Sequence, residues 1–245
     1  MSIRLIAHLL FRCDFIKTIW INFKMLPFAQ AKRFPIFVYH RVVFRDLSGV
    51  MQLNRVYPGM IRIGVSSRYI TTSRPCTVWT IRGKIVFNGP VHFYQGTYVL
   101  VSDRAMLTFG DKWCTCGTNS RIMCFDSITI GDRVAITWDC QIMDTSFHYI
   151  EDVEFHSINP LTKKIVIGSY VWVGNRTTIS KGSIIPDQSI VASNSLVNKD
   201  FSREGQFCMF AGMPAKVVKR NVKRIWNEQE ESILDKQFCY NRTHL

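Results

Sequence analysis

The sequence predicts a mainly β protein that folds as a parallel β-helix. Between Ile167 and Asp200 every sixth residue is aliphatic, and in four of the six cases a small residue follows it. A period of six matches neither an α-helix, with about 3.6 residues per turn, nor a strand that alternates every two residues. It is typical of a chain that turns a corner every six residues and sends one aliphatic side chain inward from each short strand. These aliphatic residues are Ile167, Val173, Ile179, Ile185, Val191 and Val197.

The same register occurs earlier in the chain, clearly in one segment and weakly in another. Because it can be followed back toward the first third of the sequence, we expect the β-helix to occupy residues 61–202. The earlier register positions are Ile130, Ile136 and Ile142, and more weakly Ile85 and Val91.

Both flanks of this domain predict additional elements. Residues 1–60 begin with an apolar stretch in which Arg4, His8 and Arg12 recur every four residues, and continue with the strand-like run FAQAKRFPIFVYHRVVF. They therefore predict a cap made of a helix and a strand. Residues 203–245 predict a tail and a helix, because no Gly or Pro interrupts the span from Lys216 to Phe238.

The repeat fails between Ile142 and Ile167, where the chain reads IMDTSFHYI and continues without the aliphatic register. The coils of a β-helix must stay stacked, so an insertion has to leave the helix as a loop. We expect this protruding loop at residues 143–164. It carries Asp144 and His148.

The net charge of +13 favours anionic partners, but the charges are scattered and predict no nucleic-acid partner. Charged residues also interrupt the apolar N-terminus, which is too short between them to span a membrane or to form a signal peptide. We therefore expect a cytoplasmic protein, with weak association with a membrane surface as a further expectation for the basic N-terminus.

The eight cysteines predict reduced, mostly buried thiols. The chain is large and has no secretory leader, so a disulfide framework is not expected. Cys114 and Cys116 form a C-x-C pair near Cys124, without the paired C-x-x-C spacing of a zinc site. No metal site is predicted.

Four segments together resemble the hexapeptide-repeat acyltransferases, and in particular their sugar O-acetyltransferase branch. They are ITIGDRVAI, MDTSFH, KIVIGSYVWVGNRTTISKGSIIPDQSIVASNSLVNKD and FAGMPAKVVK, and the resemblance covers roughly Ile128–Lys219. The resemblance implies a left-handed β-helix, triangular in section, with three hexads per coil. It also implies a homotrimer in which acetyl-CoA and a saccharide acceptor meet in a groove between neighbouring prisms.

The resemblance assigns the role of general base to His148. A sugar hydroxyl is a weak nucleophile, so a positioned base must take its proton while it attacks the thioester, and histidine is suited to this near neutral pH. Asp144, four residues earlier, either orients the imidazole, contacts acceptor hydroxyls or caps the turn.

Further residues are expected to bind the two substrates. Trp138 and Asp139 pair an aromatic face with a polar group, as sugar sites do, although a packing tryptophan fits equally well. Asn119 falls where the resemblance places an acceptor contact. For acetyl-CoA the matching positions are Asn175, Ser193, Asn198, Lys199 and Lys219, with Asn198 in place of the commoner threonine.

Other functions of the same fold stay open at this point. The first is N-acylation of an amino-sugar nucleotide. For either reaction, the sequence does not determine the acceptor or the length of the acyl chain. The second is a γ-class carbonic anhydrase, which needs three histidines from neighbouring coils, whereas His148 and His156 share one loop and His92 is distant. The third is a purely structural prism, which is disfavoured by the loop histidine.

Overall fold

The chain winds around a triangular prism. The structure is a computed structural model that describes residues 13–39, 41–67 and 75–238. Successive strands lie on three faces in turn, and each face is a sheet whose strands pair in parallel with the strand one coil before and one coil after. The predicted left-handed parallel β-helix is confirmed.

The three faces are named A, B and C in the order in which the chain visits them. Face A consists of β1 (Ile36–Val38), β4 (Ile61–Val65), β7 (Val91–Tyr94), β10 (Cys114–Cys116), β13 (Ala135–Ile136), β18 (Trp172–Val173), β21 (Ile190–Val191), β23 (Cys208–Gly212) and the antiparallel β24 (Ala215–Arg220). Face B consists of β2 (Val42–Asp46), β5 (Thr77–Ile81), β8 (Tyr98–Val101), β11 (Arg121–Cys124), β14 (Gln141–Met143), β19 (Thr178–Ser180) and β22 (Leu196–Val197). Face C consists of β3 (Val50–Leu53), β6 (Lys84–Phe87), β9 (Met106–Phe109), β12 (Ser127–Ile130), β17 (Ile165–Ile167) and β20 (Ile184–Ile185).

Inward side chains form ladders that run along the prism and make up its core. Each fully buried aliphatic residue stabilises the fold by about 1.5–3 kcal/mol relative to an exposed one. The strand register places the large apolar residues of successive coils directly over one another. The ladder of face C consists of Leu53, Phe87, Phe109, Ile130, Ile167 and Ile185, all of them buried.

The coils differ in length, and this explains where the six-residue register is visible. Val173 pairs with Val191, eighteen residues later, as three hexads require. Earlier coils are longer, and Ile61 pairs with Val91 thirty residues on. Their interior is filled by aromatic rings, such as Trp79 and Phe93 with centroids 4.9 Å apart, rather than by Ile and Val.

Stacked strands begin at Ile36. This is one coil earlier than residue 61, the start of the β-helix that was expected from the sequence. The segment predicted as strand opens with a short helix, α2 (Phe28–Ala31), before β1 and β2. The C-terminal helix is observed as α3 (Glu228–Gln237) and is shorter than the span that predicted it, because Ala215–Arg220 pairs as a strand with β23. The N-terminal residues Arg4, His8 and Arg12 lie outside the described residues.

The open end of the prism is closed by helix α1 (Phe15–Met25), which uses polar side chains for this purpose. Thr18 and Asn22 are fully buried, and both bind the backbone of β1. The amide of Asn22 donates to the Ile36 carbonyl at 2.7 Å and accepts from the Ile36 N–H at 3.1 Å, while the Thr18 hydroxyl accepts from Val38 at 3.0 Å. The helix thus satisfies strand groups that would otherwise lack partners.

The cysteines are free thiols, and most of them are part of the core. Of the seven within the described ranges, only Cys76 is exposed. Burial raises the pKa of the Cys114 thiol to about 11, which keeps it protonated and unreactive. Within the described residues, none of the helices has the length and apolar composition needed to cross a membrane.

His92 on the outer surface of face A makes stability depend on pH. Burial, with a smaller contribution from Arg62, lowers the pKa of His92 to about 4, and its Nδ1 accepts a hydrogen bond from the Trp113 indole at 3.3 Å. The folded protein therefore holds a neutral imidazole while the unfolded chain takes up a proton below about pH 6.5. The contribution to stability is present above that pH and is lost as the pH falls toward 4.

We predict that the free energy of unfolding falls by at most about 3 kcal/mol between pH 6.5 and 4 because of this group. The variant His92→Gln keeps a side-chain acceptor without titrating, so its loss over the same range should be smaller by that amount. Urea unfolding at several pH values measures the difference. Parallel pH profiles for both proteins would show that His92 is not responsible.

Candidate active site

A loop leaves the prism at the edge between faces B and C. Strand β14 ends at Met143 and β17 begins at Ile165, so the coil is interrupted where the sequence predicted. The inserted residues form an exposed antiparallel hairpin of β15 (Ile150–Asp152) and β16 (Ser157–Asn159). The core is unaffected, because Ile130 still pairs with Ile167 across the insertion.

Asp144 fixes the base of this loop. Its side chain is fully buried, and its two carboxylate oxygens accept the backbone N–H groups of Phe125 and Asp126 at 2.7 and 2.8 Å. Burial raises the pKa of Asp144, and these hydrogen bonds partly offset the increase. Of the three roles considered for Asp144, this geometry corresponds to turn capping: the carboxylate binds the preceding coil rather than an imidazole or an acceptor.

Lys181, from the next coil, holds the two ends of the loop together. Its ammonium donates to the Ser146 hydroxyl at 2.9 Å and to the Pro160 carbonyl at 2.5 Å. The Ser146 N–H in turn donates to the Leu161 carbonyl at 3.0 Å. The loop is therefore anchored on both sides by hydrogen bonds to the body of the prism.

His148 lies just beyond this anchored base and is exposed. Its backbone carbonyl accepts a hydrogen bond from the Ser146 hydroxyl at 3.0 Å, which fixes the backbone. Within the described part of the chain, the imidazole itself makes no hydrogen bond or ion pair. The side chain thus contributes little to the fold and is accessible to a ligand.

Three of the other candidate residues form a column along a different edge, between faces A and B. Trp138, Asn175 and Ser193 occupy equivalent corner positions in three successive coils. The Ser193 hydroxyl donates to the Asn175 side-chain oxygen at 2.6 Å. The structure therefore brings together two residues assigned to acetyl-CoA and one assigned to the acceptor.

Asn119 and Asp139 belong to the adjacent column of the same edge. Their φ angles are 59° and 57°, in the left-handed region that the corner requires and that Asn and Asp tolerate better than most residues. This conformation accounts for their residue types without a ligand. Neither residue lines the cavity that opens beside this edge.

A cavity of about 960 Å³ opens on the outer side of face A, next to this edge. Its walls carry four aromatic side chains, Tyr94, Trp113, Trp138 and Trp172, and Arg224, Glu228 and Glu231 line it from the C-terminal segment. Only Trp138 of these was a sequence candidate. Trp172 could have been found, because the inward Val171 and Val173 on either side of it require Trp172 to point outward.

The C-terminal segment is held over face A by stacked cations and rings. The Arg224 guanidinium lies 4.2 Å from the Trp226 ring centroid and 5.7 Å from that of Trp172. Arg133 donates to the Trp226 carbonyl at 2.6 Å. These contacts place the start of α3 along the rim of the cavity.

The remaining candidate residues lie elsewhere on the surface. Asn198 and Lys199 are exposed at the edge between faces B and C, the same edge that carries the His148 loop. Lys219 is exposed on β24, opposite Met209 of β23. The loop residues 143–164 contribute nothing to the cavity on face A. Within a single chain, the candidate base His148 and the aromatic cavity on face A therefore lie on different parts of the surface.

The histidines that a zinc enzyme would need are also separated. His92 lies on face A, whereas His148 and His156 lie on the protruding loop. In the ranges that the structure describes, no group of three or more His, Cys, Asp or Glu side chains is placed to hold a metal ion.

The chain is similar to curated bacterial proteins, although no family model matches it. It is 28% identical over 205 residues to an uncharacterized 24.8 kDa protein from the cps region of Klebsiella pneumoniae, covering 83% of this chain and 87% of that protein. It is 30% identical over 151 residues to a polysialic acid O-acetyltransferase of Escherichia coli O1:K1 / APEC, covering 62% of this chain and 46% of that enzyme. The chain thus spans less than half the length of the second relative.

Among solved structures, the polySia-specific acetyltransferase NeuO matches with a TM-score of 0.50 and 23% identity, covering 81% of this chain and 84% of that one. At this identity the match establishes the fold. The six-residue repeat, the interrupted coil and the sequence relatives agree with it. The chain therefore has the β-helix fold of this acetyltransferase and is similar in sequence to a polysialic acid O-acetyltransferase.

Proposed function

We propose that the protein is an acetyl-CoA-dependent O-acetyltransferase that acts in the cytoplasm on a sugar or a surface-glycan intermediate. The observation that carries this proposal is the state of His148: an accessible imidazole without structural partners in the described residues, on a loop whose base is fixed by Asp144 and Lys181. A general base requires this combination of a fixed backbone and an uncommitted side chain.

The reaction requires one proton to be moved. The neutral imidazole of His148 accepts the proton of the acceptor hydroxyl as its oxygen attacks the acetyl carbonyl. When the tetrahedral intermediate collapses, the carbon–sulfur bond breaks, and the imidazolium returns the proton to the departing thiolate.

Asp144 acts in this proposal as a positioning residue. Its carboxylate binds backbone N–H groups of the preceding coil, and its own carbonyl accepts from Lys163 at 2.9 Å. It thereby joins the two ends of the insertion to the prism. Catalysis is sensitive to such anchoring, because small displacements of a base greatly reduce the rate.

The site is proposed to form between subunits of a homotrimer. The His148 loop leaves the edge between faces B and C, whereas Trp138, Asn175 and Ser193 lie at the edge between faces A and B. Neither group can complete the other within one chain, and cyclic assembly joins unlike edges of neighbouring copies. The aromatic walls of the face A cavity suit the apolar face of a saccharide ring.

Acetyl-CoA is proposed to run along the corner columns. Its phosphates would meet Lys219 and, from the edge between faces B and C of a neighbouring copy, Lys199, both of which are exposed cations near the C-terminal end of the prism. Small residues at the corners let successive coils stack closely: at Gly174, an added Cβ would lie 2.5 Å from the Ser193 nitrogen of the next coil. Asn175 directly follows Gly174 in the chain, and Ser193 occupies the equivalent corner position one coil later.

We predict that His148→Ala reduces kcat roughly 10²–10⁴-fold, the usual contribution of a general base. The thermal midpoint should change by no more than a few degrees, since exposed loop substitutions usually alter stability by less than about 0.5 kcal/mol. The assay follows thiol release from acetyl-CoA with a panel of free, nucleotide-linked and lipid-linked sugars, including amino sugars, whose preference would indicate N-acylation.

His156→Asn is the matched control, because His156 is an exposed histidine of the same hairpin, and Asn tolerates its φ of 48°. Its kcat should stay within about threefold of the wild type. If His148→Ala kept more than about a tenth of the wild-type kcat, His148 would not be the base.

We predict that Lys219→Glu raises the KM for acetyl-CoA roughly tenfold or more, with little change in the KM for the acceptor, because a carboxylate would face the CoA phosphates. Added salt should weaken the wild-type affinity for acetyl-CoA and leave the variant less affected. Lys84→Glu, an equally charged change on face C, is the control. The same KM for acetyl-CoA in all three proteins would remove Lys219 from the site.

A further inference from the structure

Helix α1 buries polar side chains against the prism and leaves several large apolar side chains outside. Its buried residues include Thr18 and Asn22, whose side chains bind the edge of β1. Ile16, Trp20 and Phe23, which follow one another at helical spacing, point outward and are exposed. Ile21 is buried on the same face, so the end of the sheet covers two polar side chains and one apolar side chain and leaves the larger apolar residues outside.

The outward side chains form one apolar surface at the N-terminal end of the prism. We call it the apolar end patch, and it consists of Phe15, Ile16, Trp20, Phe23 and Phe28. The Phe23 and Phe28 rings lie with their centroids 6.0 Å apart, which makes α1 and α2 continuous within the patch. Ile16 is 79% exposed and Phe28 is 71% exposed, far more than a packing role would leave them.

The surroundings of the patch are strongly basic. Between Phe15 and Arg45 the sequence has six Lys or Arg residues and no Asp or Glu, and Asp14, directly before α1, pairs with one of them, Lys17, at 3.3 Å. Lys24, Lys32 and Arg33 are exposed on α1 and just after α2. Aromatic and aliphatic side chains flanked by cations are the pattern of helices that lie in a membrane interface.

We propose that the apolar end patch docks on an anionic lipid membrane, with the aromatic residues among the acyl chains and the surrounding cations on the lipid headgroups. A second copy of the chain is disfavoured as the occupant, because two patches facing each other would bring their basic surroundings together without a compensating anion. This docking uses the opposite end of the prism from β23 and β24 and does not depend on the proposed catalytic activity.

The test is flotation of the full-length protein with vesicles of phosphatidylcholine containing roughly 30% phosphatidylglycerol, compared with pure phosphatidylcholine vesicles. The wild type should float with the anionic vesicles and remain behind with the neutral ones, and added salt should reduce the bound fraction. The double variant Ile16→Ser/Phe28→Ser should lower the partition coefficient roughly tenfold or more, since it removes two side chains from the apolar phase.

Two further variants separate local from general effects. Lys24→Gln/Lys32→Gln/Arg33→Gln should also lose binding, whereas Lys84→Gln/Arg203→Gln/Lys236→Gln removes as many exposed charges elsewhere and should retain it. The apolar control Ile233→Ser changes an exposed residue of α3 and should bind normally. Circular dichroism verifies that each variant is folded.

Three results would overturn the proposal. The first is that the wild type fails to float with anionic vesicles. The second is that the apolar pair and its control bind equally. The third is that Ile16→Ser/Phe28→Ser lowers the oligomeric state in sedimentation while vesicle binding is unchanged, which would identify another copy of the chain as the occupant.

Discussion

The stacking of coils is the constraint on which the other features depend. Each strand donates and accepts backbone hydrogen bonds with the coils before and after it, so residues added within a strand disturb the ladders on both sides. Single extra residues form bulges in β2 and β4, whereas a longer insertion has to leave at a corner. The insertion after Met143 follows this rule, because Ile130 and Ile167 still pair as if no residues intervened. The loop that carries His148 projects from the prism because the ladders on either side of it stay continuous.

The same constraint separates the chemical groups of one chain. A corner residue can meet only its counterparts along one edge, as Asn175 meets Ser193 in the next coil. His148 leaves from a different edge, and its loop is fixed there by Asp144 and Lys181. A site that uses both edges must draw them from different copies of the prism, which connects the fold directly to assembly and catalysis.

The sequence was sufficient to predict those parts of the fold in which the six-residue repeat is regular. The coils after Ile128 are built from hexads of aliphatic residues, whereas the longer early coils are filled by residues such as Trp79 and Phe93, which obey no six-residue rule. The exposed position of His148 was predictable from the break in the repeat. The aromatic cavity was not, because Trp113 and Trp172 become neighbours only through stacking. Nor was the outward apolar surface of α1, since the polar Asn22 is buried through its hydrogen bonds to β1.

The shared site can be tested by mixing two variants that should each be nearly inactive, His148→Ala and Trp138→Ala. When equal amounts are unfolded and refolded together, the proposed cyclic trimers would include clefts that combine an intact loop with an intact neighbouring cavity. Activity should then return to roughly a quarter of the wild-type value, the share of such clefts expected from random assembly. If the mixture remains as inactive as its components, or if Trp138→Ala alone is fully active, His148 and the face A cavity do not form one site between subunits.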